Sequence, residues 1–287
     1  MQTILKSDGK EVVISIDRPF VIIGEKINPT GHKKLAAALQ EENFDYVREL
    51  ALRQVAWGAD VLDVNVGVPG LDEVAMLKKV VSLVASTVDV PLCLDSANPE
   101  VLAAGLAAAA GKPLVNSVSG EEKRLEAVLP LVKGRGAAVI GLTMDDNGIP
   151  KTAEERLAIA GKIINRAAQL GIPAEDIIID PLVLTVGTDS KSALVTLETI
   201  QLVRREFGVN LNLGASNVSF GLPDRPIINQ AFLALAIQNG VTCSITDPLK
   251  LGMAIRAADL LLGRDDYAMR YIKYFRQAET LRAREGA

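Results

Sequence analysis

The sequence predicts an α/β protein folded as a (β/α)8 barrel. Short apolar, β-branched runs alternate with helix-like stretches, a pattern typical of parallel strands linked by helices. Eight such runs occur, and 287 residues are enough for a single barrel, which needs about 250. The predicted strands span residues 20–25, 61–65, 91–95, 113–117, 137–142, 176–180, 210–214 and 242–246.

Carboxylate and amide side chains recur at the ends of these runs. The C-terminal ends of barrel strands open on one mouth, where active sites of such barrels lie. The pattern therefore predicts one polar cavity at that mouth. Its candidate residues are Glu25, Asn28, Asp63, Asn65, Asp95, Asn116, Asp180 and Asn217.

The two ends of the chain predict additions to the barrel. Residues 3–17 alternate apolar and polar residues around Ser7-Asp8-Gly9-Lys10, which indicates a β-hairpin, expected at the barrel bottom. The charge-rich C-terminus predicts an extra helix. No Pro/Gly/Ser-rich linker interrupts the chain. We therefore expect one domain over 1–287, with a hairpin at 1–18, the barrel at 19–263 and the extra helix at 264–287.

Two helix starts can be read from local sequence. Asn98 precedes Pro99, so it is expected to cap a helix that begins with proline. Thr152 and Glu155 have the spacing of a capping box. Helical stretches follow over residues such as 45–57, 154–170 and 251–262.

Composition narrows the class of protein. Hydrophobic residues make up 49% of the chain, which is ample for a core, and the net charge of −4 provides no basic surface for nucleic acid. We find no polybasic membrane patch, signal-peptide core or long uncharged apolar stretch. Cys93 and Cys243 lie in apolar runs, so free buried thiols are expected. These features predict a soluble, cytoplasmic protein.

The residue types at the mouth suggest recognition of a heterocycle. A carboxylate at the end of an apolar strand needs a compensating donor, and an amino-pyrimidinone edge offers two N–H donors. The alternative is that each acid caps a helix or pairs with Lys26 or Arg225. Asparagine can both donate and accept, which suits a nitrogen that changes charge. It also suits turns, which is an equal alternative for Asn28.

Other catalytic classes find little support in the sequence. The lone histidine, His32, and the two cysteines do not make a His/Cys metal-ligand set, although carboxylate-bound Mg²⁺ or Ca²⁺ remains an alternative. A histidine-assisted nucleophile or a glycine-rich phosphate loop is not indicated. We expect His32 to be a solvated loop residue and Trp57 to pack against the barrel.

Seven motifs in order indicate a family. They are IGEKINPTG, DVNVG, CLDS, VNS, GLTMDDNGIP, IDP and SNVSFGLPDRPIIN. From Phe20 to about Phe275 the chain resembles the pterin-binding methyltransferases that act on methyltetrahydrofolate and a corrinoid protein. It also resembles the folate domain of cobalamin-dependent methionine synthase. The residues that this resemblance implies in pterin binding are Asp95, Asn116, Asp180, Asp63, Asn65, Asn217 near N5, and Arg225 close by.

The resemblance also implies what the protein works with. Tetrahydrofolate or 5-methyltetrahydrofolate would be the substrate. The cobalamin would be carried by a separate corrinoid protein, because this chain has no Asp-x-His-x-x-Gly motif. Family members are usually homodimers. Phe220 stands where acetyl-CoA pathway enzymes have glutamine, which favours an O-demethylation or other one-carbon pathway. The direction of methyl transfer and the identity of the corrinoid protein stay open.

A mechanism follows from the chemistry of the methyl donor. A methyl group leaves a tertiary amine poorly, so N5 must gain positive character. We hypothesise that Asn217, with Ser219 and water, stabilises that charge in the transition state. Two alternatives remain: a dihydropteroate synthase-like enzyme, for which SITDPLK is a poor match, and a non-catalytic folate-binding subunit that docks a corrinoid protein.

Overall fold

The computed structural model of the chain, which describes residues 1–285, confirms the eight-stranded parallel barrel and the N-terminal hairpin. The hairpin strands are β1, Thr3–Lys6, and β2, Glu11–Ile14, and they pair antiparallel. The barrel strands are β3 Val21–Ile27, β4 Val61–Val64, β5 Leu92–Asp95, β6 Leu114–Ser119, β7 Ala138–Leu142, β8 Ile177–Asp180, β9 Asn210–Leu211 and β10 Cys243–Thr246.

The barrel is closed between its last two strands. The parallel sheet runs in the order β10-β3-β4-β5-β6-β7-β8-β9. The backbone N–H of Thr242 donates to the carbonyl of Leu211 at 3.1 Å, and that of Ile245 donates to the carbonyl of Leu213 at 3.0 Å. Strand β9 is shorter than the predicted 210–214, because the chain beyond Leu211 bonds to its neighbours irregularly before it turns.

Helices cover the outside of the barrel. Over the described residues, the first and the last barrel strands are each followed by two α-helices, and the six strands between them by one each. Both predicted starts are present: the Asn98 side chain accepts from the Glu100 N–H, and Thr152 with Glu155 forms a capping box. Over residues 1–285 the helices are α1 Lys33–Gln40, α2 Phe44–Ala56, α3 Glu73–Thr87, α4 Pro99–Ala108, α5 Glu122–Arg135, α6 Ala153–Gln169, α7 Ser192–Phe207, α8 Arg225–Asn239, α9 Pro248–Leu261 and α10 Met269–Glu285.

The hairpin plugs the bottom of the barrel. Its fully buried side chains Leu5 and Ile14 pack with the inward-facing residues Ile23, Cys93 and Ile140 of the barrel strands. The hydroxyl of Thr3 donates to the carbonyl of Glu175, which ties β1 to the loop before β8. The N-terminal end of the barrel is therefore filled by side chains.

The C-terminal helix packs on the outside of the barrel. A 3-10 turn, Asp266–Ala268, precedes α10, and residues 286–287 of the predicted 264–287 segment lie outside the described residues. Trp57 and Tyr274 are buried together where α2 and α10 meet. Within residues 1–285, we find no helix with the length and apolarity needed to cross a membrane.

Candidate active site at the barrel mouth

The strand ends bring four of the predicted residues into one cluster that contains two hydrogen-bonded pairs. Asp63 is the last residue but one of β4, Asp95 ends β5, Asn116 lies in β6, and Asn65 follows β4. We call the space beside them the Asp95 cavity. Its volume is about 360 Å³. Its polar lining includes Glu25, Asn28, His32, Asp63, Asp95, Asn116, Ser216 and Asn217.

The amides of the cluster donate to its acids. Asn65 Nδ2 donates to Asp95 Oδ2 at 2.9 Å, and Asn116 Nδ2 donates to Asp63 Oδ1 at 3.2 Å. The Asn65 carbonyl oxygen accepts from the Gly67 N–H at 2.7 Å, so its amide orientation is fixed. Each carboxylate oxygen has two lone pairs. Asp63 and Asp95 thus retain acceptor capacity for a ligand.

The hydrogen bonds within the protein do not fully offset the free-energy cost of burying Asp63 and Asp95 in their charged forms. Asp63 is 1% exposed, and burial together with the neighbouring Asp95 raises the pKa of its carboxyl well above the usual range. Burial also raises the pKa of Asp95, against the lowering effect of the Asn65 hydrogen bond. Ligand N–H donors would reverse both effects because they favour the charged carboxylate. Cys93 beside them stays a thiol, since burial raises its pKa.

Asp180 lies in a neighbouring space, the Asp180 cavity, with a volume of about 450 Å³. Its Oδ1 accepts from the Leu182 N–H and its Oδ2 from Asn212 Nδ2, both at 2.8 Å. Burial nevertheless raises the pKa of Asp180 to about 6. Asp180 is therefore a second acid that a ligand donor would favour in its charged form.

Two residues of this region were not predicted from the sequence. Asn212 is fully buried and positions Asp180, and it could have been found as the polar residue between Leu211 and Leu213 in a strand-like run. Arg156, in the first turn of α6, is 1% exposed. Its guanidinium donates to the carbonyls of Pro181 and Leu182 at 2.8 and 2.9 Å. No local pattern distinguishes it from a surface arginine.

Asn217 borders both cavities. It lies in the 3-10 turn Ala215–Ser219 that follows β9, and its side chain is exposed. Gly214 makes room for it, because a β-carbon at Gly214 would lie 3.2 Å from Asn217 Nδ2. The amide is thus accessible to a ligand that spans the two cavities.

Ser219 and Arg225 form a separate group behind Asn217. The fully buried Ser219 hydroxyl donates to Asn229 Oδ1 at 2.6 Å and accepts from Arg225 Nε at 3.0 Å. The Arg225 guanidinium also donates to the Ser216 carbonyl at 2.8 Å. These contacts hold the Asn217 turn against α8. They place Ser219 as a support of Asn217, while its role in binding stays a prediction.

Glu25 and Asn28 complete the rim of the Asp95 cavity. Asn28 Nδ2 lies 3.5 Å from Asp95 Oδ2, and its Oδ1 accepts from the Thr30 N–H, so it serves both the turn and the acid. Glu25 lies 3.7 Å from Lys26 Nζ, and burial raises its pKa. His32 is exposed at the start of α1. The mouth therefore presents several hydrogen-bond acceptors and amides to a ligand.

The chain is similar in sequence to known proteins. Residues 24–247 match the model of the pterin binding enzyme family. The chain is 34% identical to the methylcorrinoid:tetrahydrofolate methyltransferase of Eubacterium limosum over 268 residues, covering 91% of this chain and 97% of that protein. It is also 34% identical to the methionine synthase of Mycobacterium tuberculosis, over 82% of this chain but only 21% of that protein.

Solved structures share the fold. A dihydropteroate synthase of Yersinia pestis has a TM-score of 0.69 at 19% identity, covering 92% of this chain and 100% of that one. A dihydropteroate synthase of Xanthomonas albilineans in complex with 7,8-dihydropteroate has a TM-score of 0.65 at 24% identity, with coverages of 90% and 98%. At these identities the likeness shows the barrel alone. The family match and the close relative show that this chain belongs to the pterin-binding enzymes.

Proposed function

We propose that this protein transfers a methyl group between N5 of tetrahydrofolate and the cobalt of a corrinoid carried by a separate protein. The observation that carries the proposal is Asn217, an accessible amide between two cavities whose buried acids can still accept hydrogen bonds from a ligand. The relative that is similar over nearly its whole length bears the name of this reaction. The family and the enzyme class predicted from the sequence are thereby confirmed.

The acids act as binding groups in this proposal. Asp63, Asp95 and Asp180, with the amides of Asn65 and Asn116, accept and donate hydrogen bonds to the pterin ring. Their charged forms cost stability in the empty site, so paired N–H donors from the ligand offset that cost. This arrangement fixes the ring and turns N5 toward Asn217.

Asn217 acts at the reacting nitrogen. In the forward reaction the N5–CH3 bond breaks, the carbon bonds to cobalt(I), and N5 keeps the electron pair and takes up a proton. The Asn217 amide stabilises the charged N5 more in the transition state than in the ground state. Ser219, bonded to Asn229 and Arg225, holds the turn that carries Asn217. The reverse direction uses the same contacts.

We also propose a cytoplasmic homodimer. Helix α8 exposes the large apolar residues Ile227 and Leu235, which are 63% and 53% exposed. The Ala-rich segments 101–110 and 231–237, on α4 and α8, are the surfaces we expect to pack on a second copy. The two free buried thiols suit a reducing compartment. Sedimentation of the purified protein tests the dimer.

The experiment that tests the function uses visible absorbance. The protein is mixed with 5-methyltetrahydrofolate and a reduced corrinoid protein, and we expect the cobalt(I) band to convert to methylcobalt(III). Absence of conversion with several corrinoid proteins, despite folate binding, would indicate a non-catalytic folate-binding subunit. Incubation with a pterin pyrophosphate and p-aminobenzoate tests the dihydropteroate synthase alternative, for which we expect no product.

A further inference from the structure

A further cavity adjoins the Asp95 cavity. It opens between the starts of α8 and α9 and has a volume of about 240 Å³; we call it the Lys250 cavity. Glu25 and Ser216 line both this space and the Asp95 cavity. The two spaces are thus neighbours on the side of Asn217, the residue that follows Ser216.

The Lys250 cavity is lined by two acids, Glu25 and Asp247, and by two basic residues. Arg225 and Lys250 both line it. Among the described residues Lys250 forms no ion pair, whereas both acids are near Lys26: its Nζ lies 2.9 Å from Asp247 and 3.7 Å from Glu25. Asp247 Oδ1 also accepts from the Leu249 N–H at 3.0 Å and so caps α9. Of the two basic groups, Lys250 is the one that an incoming carboxylate can pair with.

The start of helix α8 also favours an anion in the Lys250 cavity. Helix α8 has 15 residues, and its N-cap residue Asp224 makes no side-chain capping bond. Its first residues, Arg225 and Pro226, line the cavity, so the positive end of the helix dipole faces it. Thr246 lines the cavity too, and its buried Oγ1 has no hydrogen-bond partner in the structure.

We propose that the Lys250 cavity binds the carboxylate-bearing tail of the folate substrate while the Asp95 cavity holds the pterin ring, an inference that rests on the proposed function. The tail of a folate leaves the ring at the carbon next to N5. Asn217 is assigned to N5, and its neighbour Ser216 lines the Lys250 cavity. A tail that leaves beside Asn217 therefore meets Lys250 and the start of α8.

The test compares two ligands by titration calorimetry. Tetrahydrofolate carries the tail, and 6-methyltetrahydropterin has the same ring without it. The measured quantity is the dissociation constant of 6-methyltetrahydropterin divided by that of tetrahydrofolate, which gives the advantage that the tail confers. In Lys250→Ala we expect the advantage of tetrahydrofolate to fall roughly fivefold at low ionic strength and less at high salt, because the contact is solvent-exposed. Binding of 6-methyltetrahydropterin should not change.

Three further variants sharpen the result. Lys250→Arg keeps the charge and should keep the ratio. Thr246→Val keeps the shape but removes the hydroxyl, and should lower the ratio as well. Lys151→Ala removes an exposed lysine from the loop after β7 and should leave both ligands unaffected.

The outcomes separate this inference from the function on which it rests. An unchanged ratio in Lys250→Ala, or an equal loss for both ligands, overturns the tail assignment while ring binding and methyl transfer stand. Failure of the unaltered protein to bind 6-methyltetrahydropterin or tetrahydrofolate overturns the proposed function and the tail assignment together.

Discussion

Asn217 combines exposure with a fixed backbone, which is what a group acting on a transient charge needs. Replacing it by alanine removes one transition-state donor, worth about 3 kcal/mol, so we expect methyl transfer at saturating folate to slow by about 100-fold. Folate affinity should change little. Stopped-flow absorbance of the cobalt measures the rate. Asn147→Ala, an exposed amide on the same face, is the control. An unchanged rate in Asn217→Ala would sink the assignment.

Replacing Asp95 should weaken folate binding and leave the rate of methyl transfer nearly unchanged. Its Oδ2 accepts from Asn65 and faces the cavity with a pKa raised by burial. Asp95→Asn exchanges a charged acceptor for an amide, which costs about 1.5–3 kcal/mol of binding. We expect a folate dissociation constant raised by roughly ten- to hundredfold, with little change in rate at saturation. Asp146→Asn, on an exposed loop, is the control. A loss in rate alone would contradict a binding role.

The raised pKa of Asp180 predicts that both stability and pterin affinity depend on pH. Its pKa of about 6 in the folded protein lies above the ordinary value of 3.8, so the folded protein holds this proton more tightly than the unfolded chain. The carboxyl therefore costs stability as the pH rises from about 4 to 6, by at most about 3 kcal/mol. A donor ligand binds the charged form. We expect pterin affinity to fall as the pH drops below about 6, measured by calorimetry. A flat affinity between pH 5 and 7 would show that this carboxylate is not an acceptor.

The residues of the site differ in how readily they can be predicted from the sequence. Asp63, Asp95 and Asn116 could be predicted because each ends an apolar run, and strand ends meet at one mouth. The Ser219–Asn229 contact could not, because it depends on the left-handed backbone of Asp224, which turns the chain into α8. Such contacts follow from tertiary geometry, and no local spacing encodes them.

At the scale of elements, helix α6 holds the loop after β8 in place. Arg156 on α6 bonds to Pro181 and Leu182 and, through Nε, to the Pro150 carbonyl of the loop after β7 at 3.0 Å. One side chain therefore clamps two loops. Leu182, with a φ of 61°, adopts a strained conformation that this clamp supports.

Breaking the clamp should cost stability and binding together. Arg156→Met leaves buried carbonyls without donors, and we expect a loss of about 3 kcal/mol or more in the free energy of unfolding, measured with urea. Since Arg156 also lowers the pKa of Asp180, the midpoint of the pH dependence should move upward. Arg48→Met, which removes only an exposed ion pair, should change stability by less than about 1 kcal/mol. Equal effects of the two variants would contradict the clamp.

All eight strands were predictable because buried parallel strands are continuous β-branched runs. Their ends were less so: the first barrel strand runs on to Ile27, and the seventh ends at Leu211. Helix α9 begins at Pro248 instead of the expected residue 251, since Asp247 caps it. In each case a backbone hydrogen bond or cap, and not the apolar pattern, sets the boundary.

At the scale of the whole molecule, stability depends on the seam between hairpin and barrel. Leu5 is fully buried against the inner strands. Leu5→Ala leaves a cavity there, and we expect it to cost about 2–5 kcal/mol in urea denaturation. Leu261→Ala is the matched control, because Leu261 is 85% exposed and its truncation should cost little. A loss of under 1 kcal/mol for Leu5→Ala would show that the hairpin is only loosely seated.

The plugged end also sets an order of events. Because the hairpin fills the bottom, the way to Asp63 and Asp95 that the described residues leave open is from the mouth. In the proposed reaction, folate and the corrinoid of the carrier protein therefore reach these residues through the same opening. In the proposed methyl transfer, a carrier protein seated on the mouth would close this route, so we expect folate to bind before the carrier and to leave after it. On this proposal, the exchange of folate depends on how long the carrier protein stays at the mouth of the barrel.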